Sequence, residues 1–203
     1  MTPALFLSVV LIHLLAAMSP GPSFVVCLKT AASDGFRTAA ALSLGFGLGA
    51  ALWAAGAMAG LALVFQLVPA LFLVLKIGGA AFLIFIAVAM WRHAPDPLPE
   101  ASAGPPKSPG RAMRLGFLTY ATNPKPAIFF GAVFVGLVPV DAPLWARAAL
   151  VLVIGVNEAL WYLVVSRVFS LPRARALYAR AKAWTDRAFG TLIAGFGLKI
   201  ALA

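Results

Sequence analysis

Two interruptions inside apolar segments constrain this chain most: Ser19, Pro20, Gly21, Pro22 and, 104 positions later, Asn123, Pro124, Lys125, Pro126. A proline within a helix offers no amide donor, and its ring clashes with the carbonyl four residues back. Pro20 and Pro22 therefore free the carbonyls of Ala16 and Met18, and Pro124 and Pro126 those of Tyr120 and Thr122. In hydrocarbon such groups are tolerated only where protein or a water-filled cavity receives them, and a cavity is the economical expectation. The flanks agree as well: Ala17 pairs with Ala121, Phe24 with Ile128, Val25 with Phe129 and Val26 with Phe130. Broken helices in corresponding positions of two halves are the pattern of a transporter site.

The surroundings are those of a membrane. Of 203 residues, 63% are hydrophobic and 11% charged, against roughly a quarter charged in ordinary globular domains. The apolar stretches are continuous rather than alternating, which predicts spanning helices. Cys27 is the lone cysteine, so neither an internal disulfide nor a CxxC redox pair can form. That counts against a membrane thiol-redox carrier. The net charge of +10 sits in short loops between apolar spans, as membrane orientation requires, and predicts no nucleic-acid partner. No Lys or Arg precedes Lys29, so the N-terminal segment lacks the basic region of a signal peptide and reads as the first span.

Six spans are predicted: Ala4 to Leu28, Ala39 to Phe65, Ala70 to Trp91, Leu115 to Val138, Ala148 to Phe169 and Ala188 to Ala203. Five have about the 20 residues that a bilayer core demands. Loops after spans one, three and five carry Lys29, Arg37, Arg92, Lys107, Arg111, Arg114, Arg167, Arg173, Arg175, Arg180, Lys182 and Arg187, whereas the opposite side has Arg147 alone. The positive-inside rule then puts those loops in the cytoplasm and both termini outside. Residues 92–113 hold six prolines and read as a flexible cytoplasmic linker between halves 1–91 and 114–203. Each half has three spans, so the copies insert in opposite senses. The predicted fold is all-α and polytopic: six transmembrane helices in two inverted three-helix repeats, with helices 1 and 4 broken at the proline motifs. Ala51, Leu52, Trp53 recur as Ala159, Leu160, Trp161, and Gly79 matches Gly190. Leu177, Ala181, Trp184 and Ala188 share a face opposite Arg175 and Lys182, which reads as a short amphipathic helix on the cytoplasmic membrane surface, with a basic loop as the alternative.

After each break a helix must restart. Ser19 and Asn123 are favoured N-cap residues, with Pro20 and Pro124 at the first helical position. A helix N-terminus inside the membrane attracts a carboxylate. Gly21 permits close approach of a ligand, and Lys125 adds a full positive charge. Ser19, Pro20, Gly21, Pro22, Ser23, Asn123, Pro124, Lys125 and Pro126 are thus the predicted substrate-binding residues. Glu158 is the one carboxylate well inside a span, where a charge costs at least about 2.5 kcal/mol on insertion scales. It is the predicted proton carrier, with a structural ion pair to Lys125 as the alternative. His13 reads as a span histidine bonded to a neighbouring helix, and Lys76 and Lys199 as residues snorkelling to the interface. The GxxxG spacings Gly45/Gly49 and Gly56/Gly60 read as packing faces. No metal-ligand cluster, phosphate loop or nucleophile with a base is visible, so no cofactor, metal or enzymatic role is expected.

These residues resemble the LysE/RhtB family of amino-acid exporters along essentially the whole chain. The resemblance rests on Pro20, Gly21, Pro22 in the first span, Asn123, Pro124, Lys125 in the fourth, and Gly35, Arg37, Gly45 and Gly49 around the second. It implies export of amino acids or close derivatives across the bacterial inner membrane, driven by the proton motive force, with both motifs around the substrate. Family members usually carry Asp or Asn after the first motif, where this chain has Ser23. That weakens the case for a basic substrate and favours threonine, homoserine or leucine. The expected partners are an amino acid, protons and lipid, with a homodimer left open. A metal-ion or other small-solute exporter and a non-transporting scaffold are the alternatives.

Overall fold

The computed structural model describes residues 1–19, 21–61, 69–98, 108–131, 138–139 and 141–202. Among them it has seven α-helices and no strand: α1 (Pro3–Met18), α2 (Pro22–Gly56), α3 (Pro69–His93), α4 (Pro109–Ala121), α5 (Pro124–Phe129), α6 (Leu144–Phe169) and α7 (Pro172–Leu202). A π-helical turn, Ala57–Leu61, continues α2. Every helix but α6 begins on a proline, the residue whose missing amide costs nothing at a first helical position. Thr2 and Ser108 cap α1 and α4, their hydroxyls accepting from Leu5 N at 3.3 Å and Arg111 N at 3.4 Å. Because α4 starts at Pro109, its first turn lies within the stretch assigned to the linker, of which residues 99–107 are outside the described set.

The first apolar segment is two helices, α1 and the beginning of α2. Within α2 the direction changes at Gly35, whose φ of 78° and ψ of 177° are non-helical. Only glycine takes that conformation without a steric penalty. Phe36 to Gly56 then forms the second segment; residues 62–68, where it was predicted to end, and residues 132–137 of the fourth fall outside the described ones. The sixth segment differs from expectation. The surface helix and the last span are one 31-residue helix, α7, since no proline interrupts the sequence after Pro172.

The packing is inside-out relative to a water-soluble domain. Leu7, Leu11 and Leu15 of α1, Leu44, Leu48 and Leu52 of α2, and Leu152, Val156, Leu160 and Val164 of α6 form exposed stripes at intervals of four residues. Leu152 is 67% exposed while Glu158, on the same helix, is 2% exposed. Apolar stripes of that extent mark a surface meant for something other than water. Two described helices, Pro22–Gly60 and Leu144–Phe169, are long and apolar enough to cross a membrane, and Pro3–Met18 is a shorter apolar helix.

Small residues set the helix contacts. α2 packs chiefly on α4 and α6, and α3 on α7. A Cβ on Gly45 would stand 2.1 Å from the Met113 carbonyl oxygen, and one on Gly116 2.2 Å from that of Leu42. Gly49 faces Tyr120, and Gly47 meets Gly155 on α6. Among the described residues Gly56 and Gly60 have no such neighbour, and the tight packing shown is that of the first GxxxG pair. A buried polar cluster adds to the α2–α6 seam: Ser43 Oγ lies 2.9 Å and Cys27 Sγ 3.3 Å from Ser166 Oγ. Gly116→Leu should therefore separate α4 from α2. We expect severe loss of folded protein, read as a collapsed monodisperse peak in detergent, whereas Gly56→Leu should leave that peak intact.

Candidate functional site

The two helix breaks meet. α1 ends at Met18 and α2 begins at Pro22; α4 ends at Ala121 and α5 begins at Pro124. Asn123 is the N-cap of α5, its Oδ1 accepting from Lys125 N at 3.0 Å. The first break is built differently. Ser19 is the C-cap of α1 rather than the N-cap of the restart, and Gly21 takes the N-cap place without a side-chain hydrogen bond. The Ser19 hydroxyl is turned backward, donating to the Ala16 carbonyl at 2.9 Å, so it cannot serve the next helix. Pro20 lies outside the described residues.

Lys125 spans the gap between the two breaks. Its ammonium donates to the Ala16 carbonyl at 2.9 Å and the Ser19 carbonyl at 2.8 Å, and also to the Ser19 hydroxyl. The carbonyl freed by Pro20 is therefore received by protein: Ser19 N, Ser19 Oγ and Lys125 all converge on Ala16 O. This replaces the expected cavity at that carbonyl. A second link runs from Asn123 Nδ2 to Ser23 Oγ at 3.3 Å. Ser23, at the second position of α2, is thus tied to the cap of α5 a hundred residues away.

Beside this junction is a chamber of about 30 Å³, lined by Gly21, Ser23, Asn123, Lys125 and Pro126 from the breaks and by Glu158 from α6. It is large enough for a water or two and no larger. Three further members, His13, Tyr120 and Tyr162, were not among the predicted site residues. His13 is buried, with Nε2 3.5 Å from Glu158 Oε2 and Nδ1 3.1 Å from Asn157 Nδ2. Its bond to a neighbouring helix was expected, but not that the helix would present Glu158. Tyr120 and Tyr162 also line the chamber. Among the described residues Glu158 Oε2 has no hydrogen-bond partner, a costly arrangement for a buried acceptor. His13, Tyr120 and Glu158 together form a titratable group walled from solvent. The side chains of Lys76 and Lys199 are outside the described ones. No group of three or more His, Cys, Asp or Glu that could hold a metal occurs among the described residues.

A buried carboxyl beside a part-buried ammonium where the helix ends meet, with apolar stripes outside, fits a membrane transporter. The chain belongs to the LysE type translocator family, whose model matches residues 14–203. It is 35% identical over 202 residues to the threonine efflux protein of Escherichia coli K12, covering 97% of each chain. It is 34% identical over 199 residues to the threonine efflux protein of Salmonella typhimurium, again with 97% of each covered. A homoserine/homoserine lactone efflux protein of Salmonella typhi is 27% identical over 198 residues, with 93% of this chain and 92% of the relative covered. No solved structure matches. These relatives are transporters, not enzymes.

Proposed function

We propose that the chain exports a neutral amino acid, with threonine and homoserine the first candidates and leucine a third, across the bacterial inner membrane in exchange for protons. The observation that carries this reading is the junction itself: Lys125 and Asn123 of the second break bind Ser19 and Ser23 of the first. Six spans in two inverted repeats, 1–91 and 114–203, joined by a cytoplasmic segment 92–113 and with both termini outside, accommodate it. The bias of Lys and Arg toward one side supports that orientation, and the names of the relatives support the substrate class.

Alternating access follows from the same geometry. With about 30 Å³ at the junction, the site is closed, and an amino acid enters only if the halves rock apart. The substrate carboxylate then takes the Lys125 ammonium from the Ser19 carbonyl and meets the uncapped amides at the start of α2. Glu158, held beside His13 and Tyr120, takes up the counter-proton. Charge exchange at one shared centre couples the two fluxes.

Counterflow of a labelled amino-acid panel in proteoliposomes tests this. Native protein should accumulate one class of neutral amino acid. Asn123→Ala, which removes both the α5 cap and the Ser23 link, should reduce that flux at least about tenfold. Unchanged flux in the variant would show that the junction is not the site.

A further inference from the structure

A second cavity, about 320 Å³, lies next to the closed chamber. Gly21 and Lys125 line both, so the two spaces share a wall. Ligand pockets run roughly 300–1,000 Å³, which makes the larger space the one with room for a solute. Its far wall is α7, where Tyr178, Lys182 and Asp186 lie one turn apart.

That wall carries a paired charge facing inward. Lys182 Nζ is 2.8 Å from Asp186 Oδ2, with the two side chains 15% and 8% exposed. Lys182 also donates to the carbonyls of His93 and Ala94, at 2.9 and 3.3 Å, where α3 ends. The Tyr178 hydroxyl stands 3.5 Å from Asp186 Oδ1. Leu177 and Trp184, by contrast, are 69% and 80% exposed. A helix designed only to stay folded would carry such a pair at its surface. Here the pair is withdrawn from the surface and turned into a cavity, while large apolar side chains face out.

A free amino acid carries the complementary set, a carboxylate and an ammonium on one carbon. We propose that this cavity is a loading site for a zwitterionic amino acid, whose carboxylate displaces Asp186 from Lys182 while its ammonium binds Asp186. Phe24, Val25, Leu28 and Met90 supply an apolar wall for the side chain. Lys125 stands where the loaded carboxylate goes next. The proposal rests on the amino-acid reading above and adds a second site to it.

The test uses counterflow of labelled threonine with three competitors: threonine, its amino alcohol, which lacks the carboxylate, and 3-hydroxybutyrate, which lacks the ammonium. In native protein each truncated competitor should be at least about tenfold weaker than threonine, as loss of a charge-assisted contact requires. Lys182→Met should raise the half-saturating threonine concentration and shrink the penalty for the missing carboxylate to the part that Lys125 sets, while keeping that for the missing ammonium in full. Asp186→Asn should do the reverse. Lys182→Gln keeps a donor for the His93 and Ala94 carbonyls and carries the same expectation, which guards against a folding defect in the first variant. Variants that slow flux but preserve both penalties would overturn the loading site and leave the pair structural. Native protein that moves no amino acid would instead remove the functional reading on which the site depends.

Discussion

Lys125→Met is expected to abolish counterflow and to lower thermal stability together. The ammonium is the partner of the Ser19 carbonyl, and a buried carbonyl left unpaired costs roughly 1–3 kcal/mol. The Ala16 carbonyl fares better, since Ser19 N and Oγ remain on it. The loss of stability should therefore be moderate and the protein still purifiable. Transport should suffer far more, because the same ammonium is the positive charge that a substrate carboxylate meets at the junction. Flux at background in protein that still melts cooperatively is the expected result. Native-rate flux in this variant would take Lys125 out of the site altogether. Lys125→Arg tests charge apart from shape: the planar guanidinium cannot reproduce a point charge on three oxygens, so the fold should hold and the rate should fall.

Glu158→Gln should separate exchange from coupling. Glutamine keeps the size and shape of the side chain, but it cannot ionise. Its buried amide also replaces a carboxyl whose Oε2 lacks a hydrogen bond among the described residues, so folding should be unharmed. Amino-acid counterflow, which moves no net charge or proton, should continue near the native rate. Stimulation of uptake by an imposed pH gradient should disappear. The check is the ratio of gradient-driven to gradient-free flux, measured on the same vesicles for both proteins. A variant that retains the native ratio would assign Glu158 a structural role beside His13.

How much of this was legible in the sequence depends on the range of the interaction involved. Asn123 was readable as a cap because an Asn-Pro pair acts on its own next turn. Ser19 looked identical by that logic and is not, because its hydroxyl turns back to Ala16 and because Lys125 arrives from 106 positions away. Local propensity contains no trace of that second contact. His13 belongs to the chamber only because α1 and α6 pack so that Asn157 and Glu158 face it, a pairing 144 or more residues apart. Tyr120 and Tyr162 carried a weak signal: one lies three residues before Asn123, the other four after Glu158, and such spacings share a helical face. In an apolar span, however, a tyrosine reads first as core. The continuity of α7 was hidden by composition, since a basic, amphipathic stretch and an apolar one look like separate elements although nothing between them breaks a helix.

Proton-coupled amino-acid exchange through the junction is the central claim, and one measurement reaches it directly. Proteoliposomes holding native protein, loaded with labelled threonine and a pH-reporting dye, are diluted into threonine-free buffer. Threonine should leave while the lumen acidifies, an acidic exterior should speed the exit, and homoserine inside should substitute for threonine. Threonine exit without acidification would refute proton antiport, and retention of every neutral amino acid by vesicles containing folded protein would refute the site's assignment to these substrates.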